Sequence, residues 1–112
     1  MSYKNAALFD TLRTVAYGSI TSSYALLGSV LPSPAVSIAF KNTTDQLIFV
    51  SFDGINDNLV FPSTMYQVYD IRTNGPQVTD YLLPQNTPIL VKYSGTAPTS
   101  GSFYVEVLLA QV

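Results

Sequence analysis

Apolar and polar residues alternate most regularly over Ala35–Lys41 and Ser102–Val112. In the first stretch Val36, Ile38 and Phe40 fall on one side, with Ser37 and Lys41 on the other; in the second, Phe103, Val105, Val107 and Leu109 share a side. A period of two is that of a strand with one face against a core. Leu47–Asp53 is apolar on both sides until Ser51 and Asp53, which predicts a central strand buried on two faces. Shorter strands are expected at Leu59–Phe61, ended by Pro62, at Met65–Asp70, with Tyr66 and Val68 opposite Gln67 and Tyr69, and at Ile89–Tyr93, with Lys92 outward. Between them lie turn clusters. Asn42-Thr43-Thr44-Asp45 can hydrogen-bond its own backbone, Asp53-Gly54 opens a polar loop through Asn58, and Ser94–Ser100 is rich in Gly, Pro, Thr and Ser. Ile71–Thr87 is a long connection with a short strand expected at Tyr81–Leu83. Phe40, Phe49, Val50, Val91, Phe103, Val105 and Val107 are the expected core.

The first 34 residues are less regular. Over Asn5–Val15, Ala6, Leu8, Phe9, Leu12 and Val15 recur at roughly helical spacing, with Asn5 as a cap; a short helix, an arm and a strand are all open readings. Ile20–Leu27 reads as a strand. About seven or eight short strands separated by turns, with a long return connection and a strong final strand, predict an all-β fold. The expected architecture is a two-sheet antiparallel β-sandwich with Greek-key or jelly-roll wiring. Residues 35–112 form its body, and residues 1–34 an arm and first strands packed on it or extending from it, in one domain of 112 residues.

Composition narrows what such a domain can do. There is no Cys and no His, which removes thiolate nucleophiles, imidazole bases, Ser-His-Asp triads and Cys/His zinc sites. Five Lys and Arg against seven Asp and Glu, for a net charge of -2, leave too few cations to neutralise a row of phosphates, so no direct nucleic-acid binding is expected. The start of the sequence has no long apolar run and is interrupted at Asp10, so a cleaved leader is not expected. The apolar stretch Val15–Val36 is broken by Gly18, Gly28, Pro32 and Pro34, and no membrane span of about 20 residues is expected either.

The densest polar cluster, Asp53–Asn58, holds oxygen donors suited to a hard cation, with Asp53 and Asp57 as the candidate metal ligands. The Gly and Glu positions of an EF-hand are not matched, and a loop held by Asx turns accounts for the same residues. Paired carboxylates for glycoside hydrolysis would have to come from six Asp, of which Asp45, Asp53, Asp57, Asp70 and Asp80 fall at turns or strand ends, and the single Glu106, so no enzyme is expected and no cofactor is called for. Asn42-Thr43-Thr44 matches the glycosylation sequon and reads as a turn. The surface is the informative part. Only 11% of residues are charged, where about 25% is usual. Mean hydropathy is +0.26, so apolar surface has to be covered by something besides the chain's own core. A homo-oligomer or a multi-protein assembly covers it most simply. Candidate interface residues are Phe9, Leu12 and Val15 in the N-terminal segment and Tyr66, Tyr69 and Tyr81 among the tyrosines, because Tyr suits half-wet contacts.

Asn42-Thr43-Thr44-Asp45, Ser51-Phe52-Asp53-Gly54, Asp57, Pro62, Tyr69-Asp70 and Asn74, followed by Lys92-Tyr93, a Gly/Thr/Ser loop and Gly101-Ser102-Phe103-Tyr104-Val105, resemble small virion structural proteins of tailed bacteriophages over roughly residues 10–110. The resemblance implies a particle component, located in the virion and assembled in the host cytoplasm beside other virion proteins. It implies no catalytic residue. A structural subunit of the neck or tail is the reading to test. The alternatives are a capsid decoration protein clamping capsid subunits and a small carbohydrate-binding module.

Overall fold

The computed structural model describes residues 7–70 and 83–110. The strands among them are β1 (Ala7–Phe9), β2 (Arg13–Ala16), β3 (Ala25–Leu26), β4 (Ala35–Asn42), β5 (Ile48–Ser51), β6 (Leu59–Phe61), β7 (Tyr66–Asp70), β8 (Leu90–Tyr93) and β9 (Ser102–Ala110). A single 3-10 turn at Tyr17–Ser19 is the helical element among the described residues. The pairing is nested: β1 and β2 both lie along β9, β3 pairs with β8, β4 with β7 and β5 with β6, every pair antiparallel. Pairing first with last inwards to the middle is the wiring of a long hairpin rolled into two sheets, a jelly roll. Lateral pairs β4–β9 and β5–β8 complete sheets ordered β1/β2–β9–β4–β7 and β3–β8–β5–β6. The all-β sandwich expected from the alternation is the fold observed.

The core lies between the sheets. Phe40 from β4, Phe61 from β6 and Phe103 from β9 are fully buried, with Phe40 and Phe61 stacked at 4.8 Å and Phe103 tilted 5.7 Å from Phe61. Burying each ring stabilises the fold by about 1.5–3 kcal/mol. On β9 the residues Phe103, Val105, Val107 and Leu109 are all buried, as their phase predicts. Two expectations fail on β4 and β5. Val36 is not in the core cluster and Ala35 takes its place, because a bulge between Ala35 and Ser37 reverses the alternation there. Leu47 and Phe49 belong to the outer side of the four-stranded sheet: Leu47 is exposed, and Phe49 is half-buried opposite Val60 and Lys92. β5 is therefore central in its sheet, with its inner face fully buried and its outer face covered completely only at Ser51.

Of the readings open at Asn5–Val15, the strand is the one observed from residue 7 onward, as a bulged sheet edge in place of a helix. Phe9 stands opposite Leu108 and Arg13 opposite Val105, so the connection holds one residue more than β9 does. That extra residue sets the apolar positions at helix-like spacing while the backbone stays extended. Arg13 points inward at the bulge and is 6% exposed; its guanidinium meets the Asp10 carboxylate at 2.8 Å and donates to the Ser29 carbonyl. A bulge and an inward charge are both devices that protect a sheet edge from pairing with other chains. Only Ala25–Leu26 of the expected strand Ile20–Leu27 is strand, yet Ile20, Leu27 and Leu31 are buried in the same core. Residues 7–34 are thus packed on the body. Tyr81 and most of the expected strand Tyr81–Leu83 lie outside the described residues; Leu83 itself bridges to Ala35.

Candidate functional site

Residues paired across an antiparallel ladder share a face. Because Ile38 and Phe40 of β4 and Val105 and Val107 of β9 point into the core, Ala39, Lys41, Glu106 and Leu108 point out of the sandwich. Register carries the same outer face across β1 through Phe9, opposite Leu108, and across β7 through Val68 and Tyr66, opposite Ala39 and Lys41. Phe9 is 85%, Tyr66 54% and Val68 46% exposed. With Ala39 as its small floor, the face forms a shallow groove of about 150 Å³ between Phe9 and Leu108 on one side and Tyr66 and Val68 on the other. Lys41 and Glu106, of opposite sign, are the exposed charges that the β4–β9 register places on it.

The structure brings two of the predicted interface residues together, Phe9 and Tyr66. Leu12 is half-exposed in the β1–β2 connection, beside a separate recess near Arg13 and Gly28. Val15 packs against the core instead of facing out. Tyr69 stands on the opposite face of β7 from Tyr66, its ring edge-on to Phe40 at 6.0 Å. Tyr81 is outside the described residues. Val68 and Leu108 complete the face without being singled out by residue type; the phase of β7 and β9 is the signal that puts them on the outer side. The outer side of the other sheet also exposes apolar groups, Leu26 and Val60, but its cation Lys92 is already paired with Asp57 at 3.5 Å and lies over the Tyr24 ring.

The polar loop is satisfied from within. The Asp53 carboxylate accepts the backbone N–H groups of Ile55 and Asn56, the Asn56 side-chain amide and the Ser51 hydroxyl. These bonds, led by that from the Asn56 N–H, hold its carboxyl well below the usual carboxylate range. Asp57 accepts the Tyr24 hydroxyl, which lowers its pKa, while burial and then the same bond raise that of Tyr24. The two carboxylates thus serve the loop and the β3–β8 edge, and no group of three or more acidic residues that could hold a metal occurs among the described residues. Asn42-Thr43-Thr44-Asp45 is a knot at one end of the sandwich. The buried Asn42 amide donates to the carbonyls of Gln46, Phe61 and Pro62 and its oxygen accepts from Thr44, while Asp45 holds Thr99 and Thr43 holds Ser102. With its side chain fully buried and bonded, Asn42 is no glycosylation acceptor, and the turn reading of the sequon stands.

No helix among the described residues is long and apolar enough to cross a membrane. Compared with sequence models of protein families, with curated proteins and with solved structures, the chain matches none.

Proposed function

We propose that the chain is a structural, non-catalytic subunit of a tailed-phage particle, placed at the neck or tail, which assembles with copies of itself or with symmetric neighbours through the outer face of its five-stranded sheet. The observation that carries this reading is the exposed apolar groove of Phe9, Tyr66, Val68 and Leu108 around Ala39. Apolar surface gathered in one place marks a contact surface, whereas single exposed apolar residues do not. The resemblance of the turn and strand motifs to small phage virion proteins supports the setting, and by analogy of fold alone so does the jelly roll, an architecture shared by viral capsid and lectin domains. The carbohydrate reading draws less support, since Tyr66 and Tyr69 point to opposite sides of β7 and the Asp53 carboxylate is occupied by its own loop. The test is mass spectrometry of purified particles. A copy number of about six, twelve or a small multiple fits a neck or tail position of closed symmetry. Hundreds of copies would make the protein a decoration subunit, and absence from particles would overturn the assembly reading.

A further inference from the structure

We infer that the occupant of this sheet face is a second copy of the same chain, packed face to face about a two-fold axis that sets Lys41 of each copy against Glu106 of the other. The inference rests on the assembly reading and names its partner. Lys41 lies opposite Tyr104 and Glu106 opposite Ala39, so the two charges are diagonal neighbours, one strand across and two residues along. Both are exposed, and among the described residues neither forms an ion pair, in contrast to Lys92 on the other sheet. A two-fold axis lying in the plane of the face, and bisecting the line between them, exchanges their positions. Each copy then offers a cation where the other offers an anion, and both contacts form at once, as an isologous interface requires. A displaced register would set Lys41 against Lys41, which disfavours it.

The apolar groups follow the same axis. On a pleated lattice of about 4.8 Å between strands and 3.4 Å between residues, the axis returns Val68 close to the partner's Val68. It also lays Tyr66 beside the partner's Leu108, in the depression left by the small Ala39. The edge carrying β1 and β2 is bulged and charged against strand addition, which favours contact through the face over contact through that edge.

Sedimentation velocity over micromolar to millimolar concentration tests the inference. The wild-type chain should dimerise, and Lys41→Glu or Glu106→Lys alone should raise the dimer dissociation constant tenfold or more. An equimolar mixture of the two variants should recover wild-type association, because only the mixed pair restores both contacts. Since the chain has no Cys, Val68→Cys gives an independent reading: mild oxidation should link it into a covalent dimer, and Val60→Cys on the other sheet should dimerise without forming a covalent link. A wild-type chain that stays monomeric, or single variants that dimerise like wild type without linkage at Val68→Cys, would overturn the second copy as partner. A monomer that is nevertheless found in particles removes this inference and keeps the assembly reading. A dimer with the expected charge dependence that is absent from particles keeps this inference and removes the phage setting.

Discussion

Gly101 has a backbone φ of +86°, and a methyl group there would overlap the Thr43 carbonyl in the turn that ties β4 to β9. Gly101→Ala should therefore cost about 3 kcal/mol or more, from left-handed strain together with the clash. Gly95→Ala has a similar φ of +84° but open space around it, and should cost only about 1 kcal/mol. Urea unfolding of the two variants separates these effects. Asn42 sits in the same knot, and Asn42→Ala would strand the carbonyls of Gln46, Phe61 and Pro62, for a loss on the order of 3 kcal/mol. The acid side of the stability curve belongs to the loop carboxylates. Asp45, Asp53 and Asp57 all have lowered pKa values in the folded state. Their contribution is therefore complete above the ordinary Asp pKa of about 4 and is lost as pH falls below it through the folded-state values. Asp53→Asn keeps an acceptor for the Ile55 and Asn56 N–H groups, so its melting temperature should fall less steeply than that of the wild type between pH 5 and pH 2. An unchanged pH profile would mean that the loop bonds do not distinguish folded from unfolded chain.

β9 is the strand that most of the five-stranded sheet depends on, with β1 and β2 on one side and β4 on the other. Phe103→Ala should cost about 3–5 kcal/mol, through lost transfer energy and the cavity left beside Phe40 and Phe61. Leu108→Ala, on the outer side of the same strand, should cost about 1 kcal/mol or less in the isolated subunit. A thermal melt of each reads the difference between core side and contact side. The alternation of β4 and β9 was legible because those strands pair on both sides and bury one face, which leaves a clean period of two. The bulges were not. At Val36 and again between Phe9 and Arg13, one extra residue reverses or shifts the phase, and nothing in the local residue types announces it. The same limit applies to the candidate site. Phe9 and Tyr66 could be chosen from their types, but their meeting on one face depends on register across β1, β9, β4 and β7. For the same reason residue type alone points to Val15 and Tyr69 as contact residues, although one packs on the core and the other faces the opposite side of β7.

For the molecule as a whole, low charge and a small core leave apolar surface on the outside of the sandwich, and the groove on the five-stranded sheet is the part of it proposed to serve assembly. Phe9→Asp with Val68→Asp, both exposed in the isolated chain, should leave the β fold and its melting temperature nearly unchanged while blocking incorporation into particles. Normal incorporation of that variant would move the contact elsewhere. The most direct test is hydroxyl-radical footprinting of the protein, read by mass spectrometry, in purified particles and in dilute isolated subunit. Phe9 and Tyr66 should lose most of their labelling on assembly, while Ile55, 83% exposed on the polar loop, keeps its own. Equal labelling of Phe9 and Tyr66 in both states, with protection at Ile55 or Val60 instead, would contradict the assignment of this face.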